Sequence, residues 1–271
     1  MDDKIFQADV RDGTQAAAED YLDRISRHEV VRAVRASALD LLSVAPGERV
    51  LDAGCGLGEM SREFARLVGP AGTVTAVDLN PVMLAAAERR HAAAEPGAGT
   101  VAYRLGNLPA LGYADAFDVV WCERVLQHVP DPDAAVRALA GALAPGGRVC
   151  VVDVDWSGLV IDGVEESLTL RVLDAFREKI SHPAVGRTLR RRLVRAGLAE
   201  PELRAVQAVS ASLAEAASVV PVLGRQESGL VPEIDRSAWF HSLELADARG
   251  ELTIAMPVYL AVAVKPSCGR T

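Results

Sequence analysis

RVLDAGCGLGEM, residues Arg49–Met60, places an apolar run, an acid and three alternating glycines in a row. Gly54, Gly56 and Gly58 strip every Cβ from one side of a turn, so a flat or charged group can come close to that backbone. On either side, RVLDA reads as a strand and EMSREFARLV as a helix ended by GPAG. TVTAVDL, apolar and β-branched, is a second strand closing on Asp78. Strand, glycine turn, helix, strand is the opening unit of a doubly wound α/β sheet, whose ligands bind beyond the carboxyl ends of the strands.

Working outward, AAAEDYLDRIS and HEVVRAVRASALDLLSV carry apolar residues at three- and four-residue steps and predict two helices before the sheet begins. After Asp78 the alternation continues: helix PVMLAAAERRHAAA, strands TVAYRLG and AFDVVWC, helix DPDAAVRALAGAL, strand GRVCVVDVD. Strands alternating with helices imply a parallel sheet covered on both faces, and VCVVDV has the near-continuous apolar character of a strand buried on both sides. Past Trp156 the rhythm changes. The segment 157–186 is read as a loop with one helix and no strand, an inserted lid. RTLRRRLVRAG and strand PELRAVQAVS then resume the pattern, and a second excursion over 212–250 precedes the last strand, ELTIAMPVYLAVAVKP. The expected organisation is an N-terminal helical cap over 1–45, a cofactor-binding core over 46–156, and lid insertions with the completion of a seven-stranded sheet over 157–271.

Composition narrows the function. A chain of 271 residues, 50% hydrophobic, can build one large domain or a domain with an insertion. Its formal charge of −8 argues against a surface made to neutralise phosphates, and the arginines of RTLRRRLVR fall at helical spacing and read as a solvated face. No nucleic-acid partner is expected. Cys55, Cys122, Cys150 and Cys268 form no CxxC pair, so disulfide and metal roles are not expected. A polar N-terminus and the lack of a long uninterrupted apolar run predict a cytoplasmic protein that does not enter a membrane. An assembly of several copies is compatible with the sequence.

Asp78 lies twenty positions after Gly58, where a carboxylate accepts hydrogen bonds from both ribose hydroxyls of a nucleoside. The glycines run G-x-G-x-G after Asp52, not the G-x-G-x-x-G of dinucleotide sites, which disfavours NAD. VLDAGCGLG with VTAVDLNPVML, continued through RLGNLPALGYADAFDVVWCERVLQHVPDPDAAVRALAGALAPGGRVCVVD, resembles the class I S-adenosylmethionine-dependent methyltransferases over roughly residues 30–155. The resemblance implies a Rossmann-like fold, S-adenosylmethionine as cofactor and the following roles. Gly54, Gly56 and Gly58 would let the backbone approach the methionyl and ribose portions, Asp52 would help receive the amino group and Asp78 would hold the ribose. Leu79 and Met83 would pack the adenine. Asn107, standing where the family usually has aspartate, keeps an acceptor for the adenine amino group, and Leu108 would cover the ring. Glu123 would face the methionyl end. In the ubiquinone and menaquinone C-methyltransferase group, which the chain is similar to, N-terminal helices fold over cofactor and substrate. Tyr21, His28 and Arg32 are the candidates there, Arg32 for the methionyl carboxylate; each otherwise serves as a surface or packing residue.

A sulfonium methyl is already activated, so such an enzyme mainly holds a nucleophile in line and excludes water. His128 is the candidate base if the acceptor must lose a proton, and equally reads as a structural histidine before PDPD; Glu123 is the second catalytic candidate. His241, beside Trp239 and Phe240, is a candidate to reach the substrate chamber but reads more readily as a packing residue of the lid. Asp153, Asp155 and Trp156 end the fifth strand without a third ligand that would make a metal site, so none is expected. Two mostly apolar excursions suggest an enclosed chamber for a small, partly hydrophobic acceptor, with carbon slightly favoured over oxygen or nitrogen by the resemblance. The rival reading is an enzyme that keeps the sulfonium for its charge and catalyses cyclisation or rearrangement.

Overall fold

The computed structural model describes residues 12–91, 97–224 and 233–267. Two helices, α1 (Asp12–Arg27) and α2 (Glu29–Leu42), precede β1 (Arg49–Ala53), α3 (Glu59–Val68), β2 (Thr73–Asp78), α4 (Pro81–His91) and β3 (Thr100–Leu105). There follow β4 (Phe117–Glu123), α5 (Pro132–Ala142), β5 (Leu143–Val154), the short β6 (Val160–Asp162), α6 (Glu166–Arg177) and α7 (Leu189–Arg195). The chain closes with β7 (Ala199–Ser210), α8 (Leu213–Ala217), α9 (Glu233–Arg249) and β8 (Thr253–Val264). β1 and α3 have the bounds expected from the sequence.

The strands run β3-β2-β1-β4-β5-β8, with β7 on the outer edge of β8. The first five are parallel, and β8 is antiparallel to both β5 and β7. These seven strands form the doubly wound arrangement expected, and β6 makes the sheet eight-stranded. The structure corrects one detail: the first excursion contains a strand. β6 pairs with Thr253–Ala255 of β8 beyond the end of β5, which pairs with Val258–Val264, so the two share one edge of β8. Three residues are too few to show period-two alternation, and only the long partner strand brings them into the sheet.

Alternation sends neighbouring strand residues to opposite faces. Val50, Val119, Trp121, Cys150 and Val152 join one apolar cluster with Val34, Ala38 and Leu42 of α2 and Phe64 of α3. Leu51, Val120, Cys122, Val149 and Val151 join a second with α5 and α7. At the end remote from the glycine turn, Arg148 donates to the carbonyls of Leu42 and Ser43 and bridges both carboxylate oxygens of Glu48 at 2.8 and 2.9 Å. A cation there satisfies the orphan carbonyls of the α2 C-terminus and moors the helix to β5. The two excursions are tied together where Trp239 Nε1 donates to Thr169 Oγ1 at 3.2 Å. Cys122 and Cys150 are buried free thiols, and Cys268 lies outside the described residues. Among the described residues no helix is long and apolar enough to cross a membrane.

Phe64 is fully buried and meets Trp121 edge-on, with ring centroids 5.7 Å apart. Phe64→Ala should therefore destabilise the protein by about 3–5 kcal/mol in chemical denaturation; a loss below about 1 kcal/mol would show that this contact does not anchor α3.

Candidate functional site

β1 delivers the chain into a turn whose geometry its glycines permit. Gly54, Gly56 and Gly58 have φ of +83°, +52° and +68°. The N–H groups of Gly54 and Cys55 both donate to Val77 O, at 2.7 and 3.0 Å, which docks the turn on the end of β2. A Cβ on Gly54 would lie 2.2 Å from Val125 Cγ2, and one on Gly58 2.8 Å from the Tyr103 hydroxyl. At Gly56 the nearest atom would be Leu22 Cδ1, 3.8 Å away. The first and third glycines thus accommodate the protein itself, while the middle one leaves open the approach to the backbone.

Asp78 closes β2 with both oxygens engaged: Oδ2 accepts from Gly56 N at 2.8 Å and Oδ1 from Asn80 N at 2.9 Å. Burial raises its pKa, against the opposing effect of these N–H donors. Each carboxylate oxygen still carries lone-pair capacity toward the cavity. Asn80, which the sequence reading passed over, caps α4 by accepting from Val82 N at 2.9 Å and Met83 N at 3.3 Å. Its buried Nδ2 has no hydrogen-bond partner among the described residues. An asparagine directly before a proline at a helix start was the available signal.

Behind the turn, buried Asp52 accepts from Ser61 Oγ at 2.5 Å, and burial pushes its pKa up to about 7, reinforced by Glu123 and opposed by Arg35. Glu123, at the end of β4, accepts from Arg35 Nε at 2.8 Å, and Arg35 Nη1 reaches Glu59 at 2.6 Å. Burial works against the Arg35 charge, but the two glutamates outweigh it and hold the guanidinium's pKa above its ordinary value. The arginine that α2 presents here is therefore Arg35. Arg32 is exposed and outside the cavity wall, which corrects its assignment to the cofactor side. Arg35 continues the row begun by Val31 one helical turn earlier, a phase that only docking of α2 establishes.

All these groups open into one cavity of ≈ 810 Å³. Tyr21, His28, Asp52, the three-glycine turn at Gly54 and Gly56, Asp78, Leu79, Met83, Asn107, Leu108, Glu123 and His128 line it. Gly58 stands just behind, as the left-handed residue entering α3. His28 also caps α2, its Nδ1 accepting from Val30 N at 3.3 Å. Beyond His128 the wall becomes apolar, with Val154, Trp156, Phe176, Ile180, Val219 and Met256 drawn from β5, both excursions and β8. Trp156 Nε1 donates to Gln127 Oε1 at 2.6 Å, so the one polar atom of that ring is satisfied. Asp153 and Asp155 are buried away from the wall. Burial drives Asp153 to about 7, opposed by nearby His128, and Asp155 is ion-paired with Arg187. His241 is exposed on α9 and outside the cavity wall, which corrects its candidacy as a substrate contact. Among the described residues no group of three or more His, Cys, Asp and Glu side chains could hold a metal ion.

Comparison with known proteins accords with this geometry. Residues 51–151 match the family model described as a methyltransferase domain. The chain is 30% identical, over 96% of its length and 73% of the relative's, to an uncharacterized 37.1 kDa protein in transposon TN4556 of Streptomyces fradiae. It is 45% identical over 38% of its length to a ubiquinone biosynthesis O-methyltransferase of Xanthomonas axonopodis pv. citri, covering 41% of that protein. To a ubiquinone/menaquinone biosynthesis C-methyltransferase of Vibrio campbellii it is 34% identical over 51% of its length, covering 53% of that protein. Against these two methyltransferases the chain spans about half of their length or less. The fold is shared with Haemonchus contortus phosphoethanolamine N-methyltransferase 2 in complex with S-adenosyl-L-methionine, at TM-score 0.54 and 19% identity over 92% of this chain and 53% of that one. It is shared equally with the [4+2]-cyclase SpnF, at TM-score 0.54 and 20% identity over 87% and 80%.

Gly54→Ala places its Cβ against Val125 in a backbone region L-residues avoid. It should cost about 1–3 kcal/mol of stability in thermal denaturation. Gly54→Ala with Val125→Ala should recover part of that loss, since the clash goes and the positive φ stays; full recovery would show that φ is unimportant at this position.

Proposed function

Because the chain belongs to the class I S-adenosylmethionine-dependent methyltransferases, we propose that it methylates a small, largely apolar acceptor inside this cavity, with carbon favoured over oxygen or nitrogen as the receiving atom. The observation that carries the reading is the cavity's continuity. One wall holds the glycine turn and Asp78, and the other is an apolar chamber beneath both excursions. A nucleic-acid or protein acceptor would call for an open groove instead.

The residues present fit the cofactor. Gly56 leaves its backbone approachable, Asn80, whose buried Nδ2 has no partner among the described residues, lines the same cavity, and the acids Asp52, Asp78 and Glu123 line it too. Bound there, S-adenosylmethionine supplies a methyl group on positively charged sulfur, already activated for displacement. Asp78, held by the Gly56 and Asn80 N–H groups, would take the ribose hydroxyls. Asp52 and Glu123 would receive the amino group. Leu79, Met83 and Leu108 would pack the adenine, and the Asn107 side chain would accept from its amino group. Tyr21 and His28 close the cavity from α1 and the start of α2. His128 accepts a proton where the acceptor has one to lose, and the apolar chamber keeps water from competing.

Isothermal titration with S-adenosylmethionine and S-adenosylhomocysteine tests the reading. The wild type should bind both, and Asp78→Ala should lose affinity by roughly 10–100-fold, as expected when hydrogen bonds to a charged group worth about 1.5–3 kcal/mol are removed. Absence of binding in the wild type would overturn the proposal. Cofactor binding without release of S-adenosylhomocysteine across an acceptor screen would favour cyclisation or rearrangement.

Asp52, with its pKa pushed up to about 7, makes that affinity pH-dependent. Below that value the carboxyl holds a proton that must leave before it can receive an ammonium group, so affinity should rise by up to about tenfold per pH unit and level off above it. Titrations below pH 7 in buffers of different ionisation enthalpy should register proton release, which Asp52→Asn removes; release unaffected by that substitution would assign the proton to another group.

A further inference from the structure

Arg124 is the first residue after β4 and has a left-handed backbone, φ +55°, without being glycine. Such a conformation persists in a bulky residue only where the surroundings impose it. Here they do: Arg124 N donates to Val152 O at 2.7 Å and its carbonyl accepts from Gln127 Nε2 at 3.4 Å. At this turn Arg124 lines the cavity, beside Val125, Gln127 and His128.

The guanidinium is poorly compensated where it sits. Its side chain is only 19% exposed, and its nearest carboxylate oxygen, Glu123 Oε1, is 3.6 Å from Nε, beyond hydrogen-bonding distance. The other oxygen of that carboxylate is committed to Arg35 at 2.8 Å. Nε itself is buried and has no hydrogen-bond partner among the described residues. The other arginines lining the cavity are differently placed. Arg35 and Arg90 are each met by two carboxylates, Arg62 donates to Leu57 O, and Arg27 is exposed. Arginine cannot shed its proton to escape burial, so a partly desolvated, under-paired guanidinium favours an anion brought in from outside.

Resting on the methyltransferase reading of the cavity, we propose that Arg124 is a specificity-determining residue that receives an anionic group, carboxylate or phenolate in character, on an otherwise apolar acceptor. The apolar body lies against Val154, Trp156 and Phe176, and the acidic group meets the guanidinium fork in a charge-assisted hydrogen bond. Neutral acceptors of the same shape leave Arg124 largely buried and under-paired, and are selected against by that cost.

Two fluorescent probes of one skeleton separate charge from shape: anionic 8-anilinonaphthalene-1-sulfonate and neutral N-phenyl-1-naphthylamine. Each is titrated into the full chain with and without saturating S-adenosylhomocysteine. The wild type should bind the sulfonate at least roughly tenfold more tightly than the neutral probe. Arg124→Gln should remove that preference while leaving affinity for the neutral probe and for S-adenosylhomocysteine unchanged, and Arg124→Lys should keep part of it. Equal affinities in the wild type, a preference that survives Arg124→Gln, or binding of neither probe would each overturn the proposal. The wild-type comparison and Arg124→Lys decide the matter should Arg124→Gln not fold. Failure of the methyltransferase reading registers separately, as absence of S-adenosylhomocysteine binding with the probe preference intact.

Discussion

The carbonyl of Val77 and the carboxylate of Asp78 between them hold the turn that follows β1. Val77 O accepts from Gly54 and Cys55, and Asp78 spans Gly56 and Asn80. Two successive residues of β2 thus satisfy the backbone of a loop from its neighbour, and position the start of α4 in the same stroke. Buried N–H groups must find partners, and a loop at the mouth of a cavity has few to choose from. Once β2 provides them, the glycines can present bare backbone to a ligand without leaving it unsatisfied. The placement of Leu79, next to Asp78, and of Met83, at the start of α4, follows from that docking.

Charge is the second constraint. Asp52, Asp78, Glu123 and Arg35 share a poorly solvated space, and burial opposes ionisation in every one of the three whose titration is shifted, raising the acids and working against the arginine. The arrangement is tolerable because each group has a specific partner: Ser61 for Asp52, backbone N–H groups for Asp78, and Arg35 for Glu123. A cationic ligand entering such a site meets carboxylates already oriented and stripped of water, which strengthens the attraction and spares reorganisation. Arg124, at the border with the apolar chamber, lacks an equivalent partner, which is why an anionic group on the acceptor side balances the site.

The apolar chamber has a different origin from the wall around the glycine turn. Val154 and Trp156 arrive with β5, Phe176 and Ile180 with the first excursion, Val219 with the second and Met256 with β8. Residues more than a hundred positions apart form one surface because β8 lies between β5 and β7 and draws both excursions over the same strand ends. Variation in the excursions can therefore reshape the chamber without disturbing the glycine turn.

The amino-acid sequence by itself determined the local elements and the glycine-turn side of the cavity. Alternating and helical periodicity placed β1, α3 and the strands around them, and the glycines with Asp52 and Asp78 marked the turn, because these features depend on short-range geometry that residue types enforce directly. Only the tertiary structure decided which of two neighbouring arginines on α2 enters the site, that Val160–Asp162 forms a strand, that His241 stands outside the cavity and that Arg124 lines it. Each of these turns on long-range packing. Helix phase is settled by the surface a helix docks on, a three-residue strand by its partner, and the burial of a charge by segments distant in the chain.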